Sequence, residues 1–186
     1  MIPPRPVFIK ASDVSAIMGE NDFKSRDQVF NELWKKHSPE TFNSKTVSDL
    51  VEESISKSDN VKTVIKEATL ETVKVAEKKI LSDTSLTKED KKILVTHVNS
   101  KVNTEFGIKN EERTATMSGI KNLDTDGTYY RRYMGRYGDR DYILVGQIDR
   151  IETLPDGTKI LIEIKNRVRN LYYKVYPREM IQVQTY

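Results

Sequence analysis

The chain has no cysteine, two histidines and one tryptophan in 186 residues. The first absence excludes disulfides and thiolate metal centres, and it fits a reducing compartment. The scarcity of histidine excludes a histidine-rich zinc centre, and His37 and His97 read as ordinary helix or surface residues. No apolar run approaches the ~20 residues that span a bilayer, so no membrane partner is expected. The opening residues, Met1-Ile2-Pro3-Pro4-Arg5-Pro6, lack the apolar core of a secretory signal, and an intracellular location follows as the expectation. Net charge is also nearly absent. With 31 basic and 28 acidic residues the balance is +3, too even to announce a polyanionic partner by itself.

Distribution is more informative than totals. No arginine occurs from 27 to 112, whereas nine of the eleven arginines follow that stretch and all nine tyrosines lie from Tyr129 onward. The C-terminal part therefore has the composition of an interaction surface, and the middle that of solvated helix.

The densest chemistry lies at 145–167. An apolar run, Ile143, Leu144, Val145, Ile148 and Ile151, reads as a strand carrying Asp149. Leu154-Pro155-Asp156-Gly157-Thr158 supplies a turn, with Gly157 able to take positive φ. The return run alternates with period 2, which places Leu161, Glu163 and Lys165 on one face and Ile160, Ile162 and Ile164 on the other. A hairpin then holds Asp149, Glu163 and Lys165 on one side of a sheet. Two carboxylates can fix a hard divalent cation, and an ammonium beside them can meet charge developing on a phosphate. A solvated polar face on an edge hairpin has the same residues at the same spacing.

Upstream, Val7–Lys10 is extended and Ser12 serves as N-cap of a short helix that ends at Gly19. A helix N-terminus with an arginine such as Arg5 nearby is a ready phosphate site, although Ser12 can also be a structural cap alone. A second helix is predicted from about Ser25 to Lys36. From 38 to about 103 the periodicity is helical throughout, with Thr87 and Asp90 resembling a capping pair, and no residue there stands out chemically. At 107–117 a helix entry and continuation place Glu111 or Glu112 inward and the other outward.

Arg131, Arg132 and Arg136 alternate with tyrosines in a predicted strand, a pattern that suits phosphate contacts and base stacking as well as it suits an ordinary exposed ribbon. A basic loop containing Arg167 follows Lys165. Pro177 suits the first position of a final helix on which Gln182 and Tyr186 share a face. That helix is still in progress at Tyr186, so the chain is expected to be a fragment of a longer protein.

Taken in order, Arg5, Ala11-Ser12, Gly107…Glu111, Asp149, Glu163-Ile164-Lys165 and Gln182…Tyr186 resemble the lambda-type exonuclease and phage or viral recombinase branch of the PD-(D/E)xK nucleases. The resemblance covers 1–37 and 107–186. It implies an α/β fold, a restriction-endonuclease-like core with a central mixed β-sheet flanked by helices, forming a single nuclease domain with 38–106 as a helical insertion. It selects Glu111 over Glu112. It implies Mg²⁺ or Mn²⁺ bound by Asp149, Glu163, the carbonyl of Ile164 and Glu111, with Lys165 as the catalytic amine and Gln182 supporting the site. Arg5 and Ser12 are implied to hold a 5′-phosphate, with Arg131, Arg132, Arg136, Arg167 and Tyr186 as further DNA contacts.

The implied activity is 5′→3′ digestion of double-stranded DNA ends in recombination or repair. The implied partners are DNA ends, a single-strand annealing recombinase and further copies of the chain, in the cytoplasm of a host or infected cell or in a nucleus. An endonuclease with the same metal site, or a catalytically silent nuclease fold that binds DNA or a partner, are the alternatives. The chain departs from the pattern at Arg150, where relatives often carry glycine, and in its helical insertion.

Overall fold

The computed structural model describes residues 5–119, 123–124, 129–166, 168 and 174–185. They form a mixed α/β protein that divides into two compact units, one from Met1–Ser44, Ala115–Ile164 and Tyr172–Tyr186, the other from Lys45–Thr114 and Lys165–Leu171.

The first unit opens with β1 (Val7–Lys10), followed without a break by α1 (Ala11–Ile17). Lys10 is the N-cap of α1 and makes no side-chain cap, so Ser12 is the second residue of the helix and not its cap as the sequence suggests. Gly19, at φ +83°, closes α1 in the left-handed conformation that glycine adopts without strain. The next helix, α2 (Arg26–His37), is started by Ser25, whose hydroxyl accepts the Gln28 amide while the Gln28 side chain accepts the Ser25 amide. A short 3₁₀ turn, Pro39–Thr41, follows. It stays with α2 because Trp34 Nε1 donates to Thr41 Oγ1 (2.8 Å) and Phe42 packs edge-on to Trp34. These ties are why the helical unit begins at Lys45 rather than at 38.

Among the described residues the strands fall into two three-stranded sheets, where the sequence suggests one central mixed sheet. In the first, β1 pairs parallel with β4 (Arg140–Gln147), which pairs antiparallel with β3 (Tyr129–Tyr137). In the second, β2 (Leu123–Asp124), β5 (Arg150–Thr153) and β6 (Lys159–Ile162) are antiparallel. The run read as one strand breaks at Ile148–Asp149, and its two halves join different sheets. The apolar spacing carries the reason. Under period 2, Ile148 is out of phase with Ile143, Val145 and Ile151, so a straight strand cannot bury all four on one face. The β5–β6 turn closes as expected, with Gly157 at φ +85° and the Leu154 amide donating to Thr158 O at 2.8 Å. The final helix, α7 (Pro177–Gln184), has proline in its first turn and packs against α1.

The second unit is helical: α3 (Val47–Ser56), α4 (Asp59–Glu67), α5 (Val73–Ser82) and α6 (Lys88–Met117) up to Thr114. Its stripes meet in one cluster that includes Val61, Ile65, Ile80, Leu94 and Val98. The Thr87–Asp90 capping pair is present: Asp90 accepts the Thr87 amide (3.0 Å) and hydroxyl (2.7 Å) and returns its own amide to Thr87 Oγ1 (3.2 Å). Its other oxygen takes Ser54 Oγ and Lys57 Nζ, each at 2.8 Å, so the cap of α6 also binds α3. Helix α6 does not start afresh at Gly107 but runs through it. Among the described residues, no helix is long and apolar enough to cross a membrane.

Candidate functional site

The β5–β6 ladder ends at the pair Arg150↔Ile162. Asp149 precedes that pair and Glu163 follows it, so both carboxylates stand at the open end of the hairpin, half-buried. Asp149 Oδ2 accepts the main-chain amide of Ile164 at 2.7 Å, which fixes the carboxylate against the segment that carries Glu163. Glu163 Oε1 accepts Gln182 Nε2 from α7 at 2.8 Å. The three residues therefore form one chain of contacts within the first unit. Gln182 is a positioning residue, holding one carboxylate oxygen in place.

The alternation that puts Lys165 on the face of Glu163 stops where β6 ends at Ile162, and Glu163–Asn166 continues without ladder pairing. Lys165 is exposed and belongs with the second unit, as does Glu111. What organises that pair is a residue the sequence reading passed over. Asn166 Nδ2 donates to the carbonyl of Gly107 at 3.0 Å, and Asn166 Oδ1 accepts Thr114 Oγ1 at 2.6 Å. Gly107, Glu111 and Thr114 are spaced i, i+4, i+7 and line one face of α6. Asn166 is thus seated on the face of α6 that carries Glu111. It also distinguishes the two glutamates, since Glu111 is half-buried and Glu112 exposed. An asparagine immediately after a Glu-x-Lys element, facing a helix with small residues at positions 107 and 114, is the signal that could have found it.

Arg5 and Ser12 are both exposed but are not adjacent. They stand at opposite ends of the extended strand β1, whose four residues alone cover roughly 13 Å. Arg131, Arg132 and Arg136 all lie on β3, and its register sends Arg131 and Arg136 to one face of the sheet and Arg132 to the other. Arg167 and Tyr186 lie outside the described residues.

The donor set near Asp149 is all oxygen: two carboxylates and the neighbouring main-chain carbonyl of Ile164. That chemistry fits a hard cation such as Mg²⁺, which is commonly held by one or two carboxylates together with substrate phosphates. Among the described residues, no three Asp, Glu or His side chains gather at ligating distance, so the protein's own contribution is a pair of carboxylates rather than a closed cage. Compared with protein-family models, curated proteins and solved structures, the chain matches none of them significantly.

Proposed function

We propose that the chain is a metal-dependent deoxyribonuclease with a PD-(D/E)xK-type core, acting on the ends of duplex DNA in the 5′→3′ direction during recombination or repair. The observation that supports this most directly is the fixed carboxylate pair at the mouth of the β5–β6 hairpin, where Asp149 is held on the Ile164 amide and Glu163 on Gln182.

Asp149, Glu163 and the carbonyl of Ile164 are the residues that would hold Mg²⁺ or Mn²⁺. Such an ion, when bound, lowers the pKa of water and stabilises the attacking and leaving oxygens of an in-line displacement at phosphorus. The chain's own groups supply the rest. The Ile164 amide keeps the Asp149 carboxylate turned toward the hairpin mouth, and Gln182 keeps Glu163 from swinging away. Lys165, two residues beyond Glu163, orients the attacking water and offsets charge on the phosphorane. Asn166, the residue after Lys165, is anchored to α6.

Digestion of end-labelled linear duplex in Mg²⁺, with 5′-phosphate and 5′-hydroxyl ends compared, tests the reading. Mononucleotides released progressively from the 5′ end are the expected result. Equal cutting of closed circles would replace the exonuclease by an endonuclease with the same metal site. No hydrolysis in Mg²⁺ or Mn²⁺ would leave a catalytically silent fold.

A further inference from the structure

The β1-β4-β3 sheet has one face that the carboxylate pair does not use. On β4, Asp141, Ile143, Val145 and Gln147 project to one side, and their partners on β3 are Arg136, Tyr133, Arg131 and Tyr129. On β1, Phe8 and Lys10 are the partners of Ile143 and Val145. Cross-strand partners share a face, so this side carries Phe8, Lys10, Tyr129, Arg131, Tyr133 and Arg136. Two contacts agree with the assignment: the Arg131 guanidinium lies 5.9 Å from the centre of the Phe8 ring, and the Tyr133 hydroxyl is 3.5 Å from the Asp141 carboxylate.

A β-bulge makes the composition of this face. Between Tyr133 and Gly135 the chain takes two steps along β3 against one along β4, with Met134 as the extra residue. Strict alternation would bring Tyr137 to the face; the bulge brings Arg136 instead. Rings and cations are consequently interleaved. Tyr129 and Tyr133 are 63% and 61% exposed, and Lys10, Arg131 and Arg136 are exposed as well. The opposite face is partly covered, since Val7 and Leu144 are buried there and Arg140 donates to His37 O and Ser38 Oγ at the end of α2.

We propose that this face is a binding platform for single-stranded nucleic acid. Tyr129, Tyr133 and Phe8 stack on bases, and Arg131, Arg136 and Lys10 meet phosphates. Three cations against one carboxylate, Asp141, give the face the sign that a polyanion requires. Exposed aromatic rings set between those cations match a ligand whose planar groups alternate with phosphates. A duplex hides the faces of its bases, so the rings select the single strand. The platform is carried by the sheet alone and stands or falls apart from the nuclease reading.

Fluorescence anisotropy of a labelled oligo(dT), in EDTA so that no hydrolysis occurs, tests it on the whole chain. Wild-type protein is expected to bind the oligonucleotide more tightly than a labelled duplex. Tyr129→Leu and Tyr133→Leu should each weaken binding about fivefold or more. Arg131→Gln and Arg136→Gln should each flatten the dependence of log affinity on log salt by about 0.7. Tyr137→Leu removes an exposed ring from the same strand but the other face, and should leave affinity unchanged. The proposal is overturned if wild type does not bind, if the Tyr129/Tyr133 double variant binds as wild type does, or if Tyr137→Leu is equally damaging. Binding in EDTA without Mg²⁺-dependent hydrolysis would remove the nuclease reading and keep the platform, and hydrolysis without such binding would do the reverse.

Discussion

The two units spend their apolar side chains in opposite ways. In the helical unit, residues between Val51 and Val102 converge on a single buried cluster, with Val61, Ile80, Leu94 and Val98 fully shielded from solvent. In the sheet-bearing unit, large side chains such as Phe23, Phe30, Tyr129, Tyr133 and Tyr137 remain more than half exposed, while its buried apolar residues include Val7, Ala11, Ala16, Val29, Leu144 and Ile151. One unit therefore concentrates stability and the other displays surface and polar chemistry. Sites need side chains that are not consumed by packing, and the candidate residues follow that division: the carboxylate pair and the ring-and-cation face both belong to the sheet-bearing unit.

Four substitutions can break or sharpen this contrast. The largest effect is expected at Asp149→Asn, which retains an acceptor for the Ile164 amide but halves the carboxylate pair. DNA hydrolysis should fall about a thousandfold, roughly 4 kcal/mol in the barrier, with little change in thermal midpoint. Retained activity in a gel-based digestion assay would refute the role of Asp149. Next, Leu94→Ala should cost about 2–5 kcal/mol in a urea titration, because it opens a cavity in a fully buried cluster. A loss under 1 kcal/mol would mean that the helical unit is not the stable half.

The third concerns pH. Asp90 is buried, and the Lys57 ammonium, followed by the Thr87 hydroxyl, holds its carboxyl well below the usual carboxylate range. Its folded pKa is thus depressed, so its contribution is fully present above the unfolded value of about 3.9 and is lost as pH falls below that toward the folded value. Denaturation midpoints of wild type and Asp90→Asn should differ less at pH 3 than at pH 6, with Asp90→Asn less stable by about 2 kcal/mol at the higher pH. The smallest effect is expected at Gln182→Ala. Freeing Glu163 should lower kcat about tenfold, near 1.4 kcal/mol, and raise the Mg²⁺ concentration needed for half-maximal rate. A purely structural role would leave that Mg²⁺ requirement unmoved.

Much of the helical half was legible in the sequence because its signals are local. The Thr87–Asp90 pair and the apolar stripes each depend on residues three or four apart, and each is found in the fold. The turn at Gly157 was legible for the same reason. The sheet was not, because pairing is decided by partners far apart in the chain. The slip between Val145 and Ile148 was visible in the spacing, but only the fold shows that it sends β4 and β5 to different sheets. Ser12 misled because serine is a good cap. Here the strand passes directly into the helix at Lys10, leaving the hydroxyl one turn position too late. Asp149, Glu163 and Gln182 are brought into one chain of contacts that sequence order alone suggested, whereas Arg5 and Ser12 are set apart by β1. Asn166 escaped notice because an asparagine gains meaning only from its two partners on α6, more than fifty residues away.

The bulge at Met134 has a consequence for how molecules of this protein meet one another. Strand β3 is the last in its sheet among the described residues, and a flat outer strand would offer its main-chain groups as a template for an identical strand. The extra residue breaks the regular spacing of those groups, and in a parallel in-register junction Arg131, Arg132 and Arg136 would each meet their own copies. The same irregularity that sets a cation among the rings thus interrupts this edge as a template for a second copy of the strand.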